Sequence, residues 1–111
     1  MNLLKLFEAA RQNGRVAGVS KEVADRSCPV VWPRVQHVAL VMSAPEARGY
    51  IRAQSSAAVL SEVDAALRRR SGLSASMRPQ LVEAAKDHVV RMLLDEVQRV
   101  QRTWFHGRKA A

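Results

Sequence analysis

The stretch SAPEARGYIRAQSSAAVLSEVDAALRRRSGL, residues 43–73, decides the fold. It opens on Ser43-Ala44-Pro45-Glu46, a capping box. Ser43 covers the backbone N–H three residues on, and Glu46 reaches back to the N–H of Ser43. Pro45 sits in the first turn, where its missing N–H costs nothing. Tyr50, Ala53, Ala57, Leu60, Val63 and Leu67 then step by three and four, which is one face of a helix. Asp64 and Arg68 form an i,i+4 pair in the favourable order. Arg68-Arg69-Arg70 opposes the negative end of the helix dipole. Gly72 suits the left-handed position past the last turn, and Leu73 falls where a Schellman motif places its apolar contact. These signals predict a helix over about 44–71.

A second long helix follows after Ser74-Ala75-Ser76. Pro79 fits an early helical position, and Ser76 is preferred over Ser74 as the cap. Val82, Ala85, Val89, Leu93, Val97, Val100 and Trp104 share a face, with Asp87–Arg91 and Asp95–Arg99 as outward i,i+4 pairs. His106-Gly107 is read as the stop, so the helix spans about 77–105. The short connection makes the two helices an antiparallel αα-hairpin. Each is about 40 Å long, against a radius of gyration of about 13 Å for a compact chain of this size. Either the first 43 residues cover the hairpin or a second chain does.

Towards the N-terminus the pattern is weaker. Residues 2–13 read as a helix with Leu3, Leu6, Phe7 and Ala10 on one face, stopped by Gly14. Its amphipathic character resembles that of a weak interfacial membrane helix, but core packing is the preferred expectation. Residues 16–19 read as a connector and 20–26 as a short helix supported by Glu22–Arg26, with Pro29 as its break. Residues 33–43 suit a helix beginning at Pro33. Their β-branched content also suits a strand, which would lack a partner. The expected fold is therefore all-α: a helical bundle on a long antiparallel hairpin, with shorter N-terminal helices packed on it, in a single domain over 1–111.

Composition limits function. The 111 residues are 48% apolar with few aromatics. One cysteine, Cys28, excludes an internal disulfide and a multi-cysteine metal centre. The longest apolar run, 38–42, is far short of a membrane span, and no secretory signal is recognisable. We expect a cytoplasmic protein. The net charge is +8, spread evenly along the chain, which favours association with polyanions.

Catalytic groupings are not evident. His37, His88 and His106 are separated, and Glu83, Asp87 and His88 lack the second Glu-x-x-His helix that di-metal bundles use. Cys28 has no group beside it in sequence that would activate a thiol. No nucleophile elbow or phosphate loop occurs. No cofactor, metal site or catalytic residue is assigned.

Arg48, Arg52, Arg68, Arg69 and Arg70 are the candidate contacts for a partner or a polyanion. Arg48 and Arg52 are like charges at i,i+4, which helix stability alone does not explain. Pairing across the hairpin, with Glu83, Asp87, Asp95 or Glu96, is the structural explanation for them. Trp32 and Trp104-Phe105 suit either a partner or the ends of the core. The leading expectation is a non-catalytic helical interaction and oligomerisation module, forming a homodimer through its hairpin or meeting another protein partner. The alternative is a sequence-nonspecific nucleic-acid-binding protein using dispersed arginines. A weaker third is a small enzyme with a site assembled across subunits.

Overall fold

The computed structural model describes the backbone of residues 3–110 and the side chains of residues 3–104. Among the described residues there are three α-helices and no strand: α1 (Leu3–Ala39), α2 (Ala44–Arg69) and α3 (Arg78–Ala110). A 3₁₀ turn (Ala75–Met77) leads into α3. The all-α bundle is as expected, and all three pairs of helices pack on one another. The chain runs up, down and up. At one end Arg15 Nη1 donates to Gly72 O at 3.1 Å. At the other, Gln101 Nε2 donates to Leu40 O at 3.0 Å and so satisfies a carbonyl at the C-terminal end of α1.

The first 39 residues depart most from expectation. In place of several short helices there is one helix that passes through both Pro29 and Pro33. Each proline removes one helical hydrogen bond. Both lie on the exposed side, where water can satisfy the freed carbonyls, while Cys28, Val31 and Val35 on the opposite side are buried. Burial of that row outweighs the local penalty, and the strand alternative for residues 33–43 is excluded by helix up to Ala39.

The capping box forms at Ser43. Its hydroxyl accepts from Glu46 N at 3.4 Å, but Glu46 Oε1 takes the Ser43 hydroxyl proton at 2.7 Å instead of the backbone N–H. The C-terminal end of α2 needs correction. The helix stops at Arg69, with Arg70 already extended. Gly72 does have positive φ, 101°, yet it lies two residues beyond the capping residue, in the turn itself. Arg70 N bonds Ala66 O, and the Schellman pair is not formed. The start of α3 also differs. Ser74 precedes the 3₁₀ turn, Met77 N donates to Ser74 O at 3.0 Å, and Ser76 lies inside the turn. At its far end α3 continues through His106-Gly107 to Ala110.

Core rows recur every four residues. They are Val19, Val23, Ser27, Val31, Val35 and Ala39 on α1; Ala47, Ile51, Ser55, Val59 and Val63 on α2; and Met77 at the end of the 3₁₀ turn, continued by Leu81, Ala85, Val89, Leu93 and Val97 on α3, all buried. A step of four exceeds the 3.6-residue turn by about 40° each time, the drift that winds helices right-handed. The face expected for α2 is therefore rotated. Ile51 and Val59 are fully buried, while Ala53 and Ala57 are exposed. On α3 the expected face holds through Val97, with Leu81, Val90 and Leu94 added, whereas Trp104 is 62% exposed.

The buried polar residues, Ser20, Ser27 and Ser55, fit this close packing. Each hydroxyl donates back into its own helix: to Ala17 O at 3.0 Å, Val23 O at 2.7 Å and Arg52 O at 2.9 Å. A satisfied hydroxyl little larger than a methyl group lets neighbouring backbones approach without an unpaired group.

The molecule measures 64 × 27 × 19 Å, with a radius of gyration of 17.2 Å. Its length comes from overhang. The bundle closes at Arg15–Gly72, so residues 3–14 of α1, about 18 Å of helix, project past the turn between α2 and α3.

Candidate interaction surface

The five arginines singled out above separate into two groups. Arg52 is engaged: Nη1 donates to Asp87 Oδ1 at 2.6 Å and Nη2 to Glu83 Oε2. The Asp87 hydrogen bond and the Glu83 charge hold its guanidinium still more firmly protonated than usual. This is the cross-hairpin pairing weighed as the structural explanation, with Glu83 and Asp87 as partners instead of Asp95 and Glu96. The hairpin register explains the difference. Asp64 is clamped by Arg78 through Nε at 2.8 Å and Nη2 at 3.3 Å, a pair centred on Ser71 and not on Ser74. That Arg78 hydrogen bond also lowers the Asp64 pKa.

Arg69 and Arg70 are engaged too. Both reach Glu22 on α1, Arg69 at 3.8 Å, and Arg26 joins the same carboxylate at 3.6 Å. Three cations on one acid tie the end of α2 to α1. Arg48 and Arg68 are exposed and make no ion pair among the described residues. Arg48 lines a shallow groove between α2 and α3 with Asp87, Arg91, Asp95 and Gln98, a wall of mixed sign. The i,i+4 pairs expected on α3 are replaced: Asp87 serves Arg52, and Arg99 turns to Glu96 at 2.5 Å.

The overhang of α1 is a surface that the sequence pattern had assigned to the core. Leu3 and Leu4 are each 69% exposed, Leu6 50% and Phe7 62%. Leu3, Phe7, Ala10, Gly14 and Gly18 follow one another by three or four residues, so they form one row along the helix. Leu6 and Ala17 lie beside it. All of these are exposed. The flank carries Glu8, Arg11, Gln12 and Arg15 together. The sequence signal was available in part. The apolar face was recognised, but Gly14 was taken as a stop, so the face was placed on the core and not beyond it.

Cys28 is buried, its Sγ 3.9 Å from Met92 Sδ. Burial, with the Asp25 charge second, pushes its thiol up to about 11, the opposite of an activated nucleophile. Among the described residues no three His, Cys, Asp or Glu side chains come together as a metal cluster. No helix among them is long and apolar enough to cross a membrane. The side chains of Phe105 and His106, named in the sequence as aromatic anchor and helix stop, lie outside the described residues. Compared with protein-family models, curated proteins and solved structures, the chain matches none.

Proposed function

We propose that this protein is a non-catalytic helical interaction module that works by self-association. The observation that carries the proposal is the uncovered apolar row of the α1 overhang, Leu3, Leu6 and Phe7, where three large apolar side chains at least half exposed lie together on one helix. The hairpin was the interface first expected. Its inner face is occupied by α1, which moves the contact to the overhang. A buried thiol held protonated suits a reducing compartment, and we assign the protein to the cytoplasm.

Light scattering on the full chain across the micromolar range tests the proposal. The expected result is a mass that rises towards a dimer with concentration, and Phe7→Glu should return it to monomer. A monomer mass throughout would remove the proposal.

Nucleic-acid binding has less support, because Arg52, Arg69 and Arg70 each spend their charge on a carboxylate within the chain. The net charge of +8 still favours polyanions in general. A duplex-affinity measurement against salt distinguishes this second function, since each phosphate contact contributes about −0.9 to the log–log slope.

A further inference from the structure

The overhang is self-complementary, and from that we infer that two copies pair antiparallel through residues 3–18 of α1 about a two-fold axis beside Ala10. The pairing rests on the self-association proposed above and names its surface and geometry. One half of the row is bulky: Leu3, Leu6 and Phe7. The other half is small: Gly14, Ala17 and Gly18. All are exposed. An antiparallel alignment sets Leu3 against Gly18 of the second copy and Phe7 against Gly14, with the axis between residues 10 and 11 and the two Ala10 side chains beside it. Every large side chain then faces a hollow. A parallel alignment would set bulk on bulk and hollow on hollow. An interface that uses the same patch on both copies is what two-fold pairing requires.

The glycines give an independent argument. A glycine inside an exposed helix is destabilising relative to alanine. A Cβ added at Gly14 or Gly18 would meet nothing within 4 Å, as at Gly49 on α2, so among the described residues no contact calls for their lack of a side chain. A second helix approaching closely along that row does.

Charge is mixed in the same alignment: the two Arg11 side chains meet near the axis, and each has a Glu8 of the other copy beside it. Glu8, Arg11, Gln12 and Arg15 lie on one flank, and antiparallel pairing brings like flanks together. Glu8 of one copy then falls between Arg11 and Arg15 of the other. Among the described residues Glu8 and Arg11 have no ion pair within their own chain, while Arg15 donates one hydrogen bond to Gly72 O. The contact is about 24 Å of helix on each side. That lies at the low end of specific interfaces, so the dimer should be weak and concentration-dependent.

Oxidative cross-linking of single-cysteine variants tests the geometry in the full chain. The buried Cys28 stays in place, and wild type serves as its control. Ala10→Cys should link to itself. Leu3→Cys should not, but mixed with Gly18→Cys it should form the mixed disulfide. Self-linking of Leu3→Cys as efficient as that of Ala10→Cys would overturn the inference in favour of parallel pairing. A dimer mass without any of these links would overturn the surface and leave self-association standing. A monomer that floats with vesicles rich in anionic lipid would overturn both in favour of a membrane partner.

Gly14→Leu supplies a second readout with opposite signs. The monomer has room for the side chain, so thermal unfolding at high dilution should occur at the wild-type temperature or above. Dimer affinity should fall at least about tenfold. Unchanged affinity would overturn the pairing.

Discussion

Ser27 and Ser55 show how much of this core is settled one residue at a time. They occupy positions in rows that are otherwise Val, Ala and Ile. Their burial could not be read from the sequence because it depends on a hydrogen bond back into the helix, which consumes the polarity. Ile51 was missed for a related reason. A strict 3.6-residue count places Ala53 and Ala57 inside, and only the four-residue step brings Ile51 and Val59 in. Leu93 was legible, and it offers a direct test. Leu93→Ala should cost about 2–5 kcal/mol, while the exposed Arg91→Ala should cost under about 0.5 kcal/mol. Equal shifts in the thermal midpoint would mean the α3 face is misplaced. The Cys28 thiol yields a pH prediction. Its folded pKa lies above its ordinary value near 9, so the folded state retains the proton that the unfolded chain gives up. Its contribution is whole below that value and is lost as pH rises towards about 11. Compared with Cys28→Ala in urea titrations, the wild-type advantage should shrink from about pH 9 to about pH 11. A constant gap would show that the thiol does not sense its burial.

Single elements were legible where caps and rows agreed, and illegible where a local breaker was outvoted. The start of α2 rests on Ser43, Pro45 and Glu46: Ser43 and Pro45 act there as the capping pattern indicates, while Glu46 holds the Ser43 hydroxyl instead of its backbone N–H. In α1, Pro29 and Pro33 argue for a break, and Gly14 for a stop. Neither holds, because the row from Val19 to Ala39 gains more from burial than the prolines forfeit. Removing one should show the forfeit. Pro29→Ala should raise stability, by up to about 3 kcal/mol, and a lower denaturation midpoint would instead assign the proline a necessary bend. The seam between α2 and α3 offers another check. Arg52→Glu faces two acids, Glu83 and Asp87, and should lower the midpoint by under about 1 kcal/mol for so exposed a pair. Arg48→Glu, which breaks no ion pair, should lower it less. The reverse order would return Arg48 to the structural ledger and free Arg52 for function.

Across the whole molecule, bundle class and helix direction followed from residues 43–105, whereas the overhang did not. Relative helix length is a tertiary property: α1 is longer than α2, and no local signal says which end is left uncovered. Of the candidate contacts, Arg69 and Arg70 gained partners from Glu22, nearly fifty residues away in sequence, a pairing no local rule reaches. The overhang also divides the chain by its susceptibility to proteases. A protease needs its substrate locally unfolded, so helix held by a core resists it and helix without tertiary support does not. Lys5 and Arg11 stand on unsupported turns, while Lys21 and Arg26 stand where α1 lies against α2 and α3. Brief trypsin treatment should therefore trim the N-terminal turns first and spare cuts within residues 16–101, as mass spectrometry of the fragments would show. At concentrations where copies associate, the same bonds should become slow to cut. In a cell, the fraction of chains without a partner would then be the fraction that is shortened, and shortening would remove the means of finding one.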